Sequence, residues 1–182
     1  DRICQLVPGR NYLWNGTDAS MSNFAIYNWN PASGPVNMAF VQPSTFGGSG
    51  FPASAQGAMY ISESGATWGT GPQTIGKKIT YFTLDGAGNR LTGPTPLISY
   101  NGTGKGTVVA LAAGPDGLYF SDFYKDTDYV SPIDAGANIL RVRFVGSADF
   151  SASATTGPAP VGERRPPRVP PDPPRPDYAA VP

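Results

Sequence analysis

Histidine is absent from all 182 residues, and cysteine occurs once, at Cys4. The first absence removes Ser-His-Asp and Cys-His catalysis, imidazole-ligated zinc, and any mechanism that needs an imidazole base. The second excludes an internal disulfide and a cysteine-rich zinc site, since both need partner thiols. Charge is sparse as well. The 13 basic and 13 acidic side chains cancel, so no net field draws the chain toward nucleic acid or an anionic membrane, and neither is expected as a partner. The longest apolar runs, such as VVALAA, fall well short of the roughly 20 residues of a membrane helix. No basic-then-apolar leader opens the chain, so a soluble protein is expected.

Glycine (23) and proline (20) are abundant instead. Neither is tolerated inside helices, so short strands joined by turns are favoured and the fold class is expected to be all-β. From Asp1 to Trp29 the text is aromatic and Asn-rich without a clear period, and reads as loops with at most one strand. Strands are expected at Val36–Pro43, Gly57–Ser64, Lys77–Leu84, Pro96–Tyr100, Gly106–Gly114, Asp116–Asp122 and Asn138–Gly146, with a hairpin turn at Asp85-Gly86. Seven or eight short strands between turn signals describe an antiparallel sheet protein.

GAMYISES and DGLYFSDF share a pattern of glycine, apolar residues, tyrosine, serine and an acid, with Gly57 and Gly117 sixty residues apart. Propeller blades of four strands repeat every 40 to 50 residues or so, and longer loops stretch that period. The chain therefore divides into a β-domain over 1–150 and a Pro/Arg-rich tail over 151–182, where prolines 166, 167, 170, 171, 173, 174 and 176 oppose ladder pairing. A linker is the simplest reading of that tail. The sequences GGSG and SESG lack both the strand-to-helix elbow and the histidine partner of a serine hydrolase.

One stretch concentrates acids: AAGPDGLYFSDFYKDTDY and the residues after it carry Asp122, Asp126, Asp128 and Asp134, with Asn138 beyond. These side chains offer only oxygen ligands, a set that suits calcium and suits zinc or copper poorly. The spacing is not that of a helix-loop-helix calcium site. A solvated acidic loop is the competing reading.

KITYFTLDGAGNRLTGPTPLISYNGTGKGTVVALAAGPDGLYFSDFY followed by GANILRVRFVG resembles the closing blades of the glucose/sorbosone dehydrogenase family. The shared features are a GPDG turn, a strand with tyrosine and a terminal Asp-Phe, and a closing Gly-x-Ile-x-Arg-like strand at Gly136–Val142. Upstream, PVNMAFVQPSTFGGSGFPASAQGAMYISES is similar to the family's AF strand, GFP loop and following strand that ends on an acid. The likeness spans Asn11 to Val145.

This resemblance implies a six-bladed β-propeller that binds pyrroloquinoline quinone (PQQ) and Ca2+ and works in the extracellular or periplasmic space. The family's catalytic base is a histidine, which this chain lacks, and Lys105 is the only cation near the position of the family's quinone-binding arginine. The chain is long enough for about three four-stranded antiparallel blades, a partial propeller. Such an open ring exposes sheet edges and an apolar flank, so a homodimer, or a tail that covers the exposed face, is expected.

A divalent cation can polarise an ester carbonyl and lower the pKa of a bound water while a carboxylate serves as base. The expected activity is accordingly calcium-dependent hydrolysis of a lactone or related ester, acyl-homoserine lactones included. Asp122, Asp126, Asp128, Asp134 and Asn138 are the candidate ligands, Glu63 and Asp122 the candidate catalytic carboxylates. Trp68, Tyr119, Phe123 and Tyr124 are the candidate walls of an apolar substrate pocket. Two alternatives stand beside this: a segment of a PQQ-dependent aldose dehydrogenase, and a non-catalytic propeller remnant.

Overall fold

The computed structural model describes residues 1–17, 19–124 and 138–145 in full, and the backbone of 149–150 and 178–180. Among the described residues there is no α-helix, only three single-turn 3-10 segments at Ser22–Phe24, Phe46–Gly48 and Ala53–Ala55. The chain is all-β, as its glycine and proline content requires.

Strands β1 (Arg2–Cys4) and β2 (Ala25–Asn28) form a two-stranded antiparallel sheet. The amino-terminal region thus holds two strands where the sequence pattern suggested at most one. Both are short and irregular in register, with a shift between Ile3 and Cys4, so no alternation was long enough to be read. Strands β3 (Pro35–Phe40), β4 (Met59–Glu63), β5 (Lys78–Leu84) and β6 (Arg90–Tyr100) follow as a meander, each antiparallel to the one before. The Asp85 carboxylate caps the β5–β6 turn by accepting the amides of Ala87 and Asn89 at 2.9 and 2.8 Å. Past the turn, β6 runs unbroken to Tyr100, so that the expected strand at Pro96–Tyr100 is its second half.

Strands β7 (Val108–Gly114), β8 (Gly117–Asp122) and β9 (Ile139–Val142) form a three-stranded sheet. Gly117, with φ of +154°, closes the turn between the first two, and a Cβ there would collide with the Val142 carbonyl. The expected strand at Asn138–Gly146 is broken at Arg143: β10 (Phe144–Val145) leaves the sheet and pairs with β11 (Asp149–Phe150). Finally β12 (Tyr178–Ala180) pairs with β6 and makes the central sheet five-stranded, in the order β12-β6-β5-β4-β3. It lies beyond the last of the tail's clustered prolines, where backbone amides are again available for a ladder.

Strand alternation sorts the core into two layers. On one face of the central sheet Met59, Ile61 and Phe82 pack with Ile3 and Trp29 from the β1–β2 side. On the other, Tyr60, Ile79, Leu97 and Ile98 pack against Val108, Leu111, Leu118, Phe120 and Val142 of the β7–β9 sheet. Each fully buried side chain of this size, Phe82 or Leu118 for example, contributes roughly 1.5–3 kcal/mol. Every residue of β4 is buried because the strand lies between the two layers. By contrast β3 is an edge with no partner on its outer side among the described residues, and Val36, Met38 and Phe40 stand exposed along it.

Candidate functional site

The two acids that close the repeated strand pattern occupy matching positions. Glu63 is the last residue of β4 and Asp122 the last of β8, and each strand is the second in its sheet. Both side chains are buried. In β4, Glu63 shares a face with Met59 and Ile61, which pack toward β1–β2. In β8, Asp122 shares a face with Leu118 and Phe120, which pack toward the central sheet. Each acid is therefore directed at the layer that precedes its own, and the two carboxylates sit in different interlayer spaces.

Their partners differ in kind. The Thr80 hydroxyl donates to Glu63 Oε1 at 2.6 Å across the β4–β5 pair. Asp122 Oδ1 instead accepts two backbone amides, Thr107 N–H at 2.8 Å and Tyr124 N–H at 3.1 Å. The Asp122 amide donates to the Asn138 carbonyl at 2.9 Å, and the Phe123 amide to the Thr107 carbonyl at 2.8 Å. Asp122 is thus a clasp. It ties the strand end to the segment before β7 and closes the base of the connection that leads to β9.

Two lysines stand beside this clasp. Lys77 is only 1% exposed, and its ammonium donates to the carbonyls of Gly69 and Lys105 while lying 5.4 Å from the centre of the Tyr100 ring. Burial lowers its pKa below the ordinary lysine value, the Asp122 carboxylate raises it, and the nearby Lys105 lowers it further. Lys105 Nζ in turn lies 5.4 Å from the centre of the Tyr124 ring. Glycine-rich loops converge here: the Gly71 amide donates to the Gly104 carbonyl, and the Gly104 amide to the Tyr100 hydroxyl, each at 2.8 Å. Lysine at 77 gives no periodic signal in the sequence, because it precedes β5 and its role depends on loops eight and twenty-eight residues away.

The aromatic candidates fall into three places. Tyr124 is buried beside Asp122 and packs edge-on against Phe123, ring centres 5.3 Å apart. Trp68 is 76% exposed on the loop whose Gly69 carbonyl receives Lys77. Tyr119 lies on the opposite face of β8 from Asp122, with its hydroxyl donating to the Asp116 carboxylate at 2.5 Å. The structure therefore groups Asp122, Phe123 and Tyr124 together, while Tyr119 and Glu63 lie elsewhere. Asp126, Asp128 and Asp134 lie outside the described residues, and Asn138 enters through its carbonyl.

Among the described residues no three histidine, cysteine or acidic side chains are gathered closely enough to hold a metal ion. Asp122 and Asn138 are joined main chain to main chain, on either side of a segment, 125–137, that lies outside the described residues. Compared with known proteins, the chain matches no family model, no curated protein and no solved structure.

Proposed function

We propose that the chain is a partial β-propeller of the sugar-dehydrogenase type that binds calcium in the segment between β8 and β9 and hydrolyses lactones or related esters with it. One observation carries this reading. The acid-rich segment is held at its base by a buried carboxylate, with Asp122 accepting two amides and its own amide bonded to Asn138. A clasp of this kind lowers the entropy cost of gathering oxygen ligands from a loop. The blade reading draws support from the four-strand meander of β3 to β6, followed by a new sheet whose first strand packs beside β3 and β4.

In this proposal Asp126, Asp128, Asp134 and Asn138 supply the ligands, and Asp122 positions the loop instead of binding the ion. Calcium, when bound, polarises the ester carbonyl and acidifies a water. Phe123 and Tyr124 form the apolar side of the substrate site, and Trp68, exposed on the neighbouring loop, extends it. The base is a carboxylate of the acidic segment, since Glu63 faces a different layer. A lactone panel assayed with calcium and with EDTA tests the activity: chelation is expected to abolish hydrolysis, and hydrolysis insensitive to EDTA overturns the mechanism.

The burial of Glu63 and Asp122, each with hydrogen bonds inside the fold, favours a second reading, a non-catalytic propeller segment in which both acids only lock strand ends. Inertness toward every lactone, together with melting that ignores calcium, would select it. Reduction of a dye with glucose and added PQQ would instead select the aldose dehydrogenase.

A further inference from the structure

Residues 65–76, between β4 and β5, form a loop whose two ends touch. A Cβ added at Gly76 would collide with the Gly65 Cα, and one added at Gly65 would lie 2.9 Å from the Gly76 Cα; the two glycines hold φ of +74° and +62°. No side chain fits in that neck, so the chain leaves and re-enters the fold at one point, in the manner of an Ω-loop. Its feet are anchored. The Gly65 amide donates to the Ser33 carbonyl at 2.8 Å, and the Tyr100 amide to the Lys77 carbonyl at 2.9 Å.

Beyond the feet the loop has little apolar hold. None of residues 65–75 is buried and Trp68 stands out into solvent, whereas Gly76 and Lys77 are buried. A segment with few buried apolar contacts opens at a lower free energy than the sheet that carries it. Polar contacts fasten the body of the loop to the neighbouring segment at residues 104–105. The Gly71 amide donates to the Gly104 carbonyl at 2.8 Å. From beneath, the Lys77 ammonium donates to the Gly69 carbonyl on the loop and to the Lys105 carbonyl, at 2.8 Å, on the facing segment. Lys77 itself holds φ of +52°, a left-handed conformation that marks a position fixed by its surroundings.

We propose that residues 65–76 are a lid that swings on the Gly65–Gly76 neck, with the Lys77 ammonium as its latch. Opening breaks the bonds at Gly69 and Gly71, carries Trp68 with the lid, and brings the buried Lys77 ammonium into solvent. A hinge confines its backbone change to a few residues, and the two glycines of the neck suit that task. The inference does not rest on the proposed lactone chemistry.

Amide hydrogen exchange, read residue by residue in low concentrations of guanidinium, provides the test. In the wild-type chain the Gly71 amide is expected to exchange through an opening that guanidinium barely changes. Its protection should be at least about tenfold below that of Ile79 in β5, which opens with the whole fold. Lys77→Met is expected to speed Gly71 exchange about tenfold or more, while the Thr107 amide, bonded to Asp122, keeps its protection. Should that variant fail to fold, the Lys77 ammonium protons of the wild-type chain, followed by NMR, decide the latch: they are expected to lose protection in the same opening as the Gly71 amide. A Gly71 amide that exchanges only when Ile79 does overturns the lid. Gly71 exchange unaltered by Lys77→Met, or Lys77 ammonium protons that stay protected while Gly71 opens, overturns the latch.

Discussion

Strands β4 and β8 read nearly alike, Met-Tyr-Ile-Ser-Glu against Leu-Tyr-Phe-Ser-Asp, yet they lie in different surroundings. Both bury the face that bears the first, third and fifth residues. On the other face, β4 meets a second layer: Tyr60 packs edge-on against Phe51 and its neighbour Ser62 donates to the Val109 carbonyl of β7 at 3.0 Å. In β8 the equivalent Tyr119 is half-buried and bonded to Asp116, and Ser121 accepts the Ala110 amide within its own sheet. A strand motif therefore specifies which residue types alternate, while the number of layers around it is decided by segments far away in the chain.

The largest effect should come from the residue that distinguishes the two strands most. Tyr60→Ala removes a ring from the interlayer core and is expected to cost about 3–5 kcal/mol in denaturant unfolding, whereas Tyr119→Ala is expected to cost about 1 kcal/mol. Equal losses would mean that the third sheet does not cover β4.

Next come the terminal acids. Asp122→Ala strands two amides at a buried position and is expected to destabilise by about 2–3 kcal/mol, against about 1 kcal/mol for Glu63→Ala, which leaves one hydroxyl that can turn elsewhere. Asp122→Asn retains an oxygen for both amides and should lose less than the alanine variant. If Asn and Ala behave identically, the clasp is electrostatic and depends on Lys77 more than on the amides.

A smaller effect is expected in alkaline solution. Burial raises the Tyr60 pKa above its ordinary value of 10.0, with Tyr81 adding to the shift. The folded state therefore holds a proton that the unfolded chain gives up, and stability falls as pH rises above about 10, by at most about 1.4 kcal/mol for each pH unit from this group. Tyr60→Phe is expected to flatten that part of the profile, and an unaltered slope would place the alkaline loss in other groups.

Much of the sheet was legible because its strands alternate over five or more residues and end in recognisable turns, Asp85-Gly86 and the turn before Gly117 among them. What was missed is instructive. The pairing of β1 with β2 joins residues more than twenty positions apart through strands of three and four residues, too short for a periodic signal. The pairing of β12 follows a run of prolines, whose composition masks the three residues that can still join a ladder. At the candidate site, Asp122, Phe123 and Tyr124 were recognisable from the strand end they share. Lys77 and Thr107 were not, because their roles arise from loops that meet only in the folded chain. Nor could the sequence tell that Glu63 and Asp122 face separate layers, since equivalent positions in successive sheets look like neighbours when only the pattern is read.

Calcium binding by the clasped segment is the central claim, and thermal unfolding in calcium against EDTA tests it most directly, because a ligand held only by the native state must raise stability. The account predicts a rise in Tm of several degrees with calcium for the wild-type chain, a rise lost in Asp126→Ala and Asp128→Ala although both still fold. Identical melting in calcium and in EDTA, across a millimolar range of the ion, would contradict it and leave Asp122 as the lock of a purely structural loop.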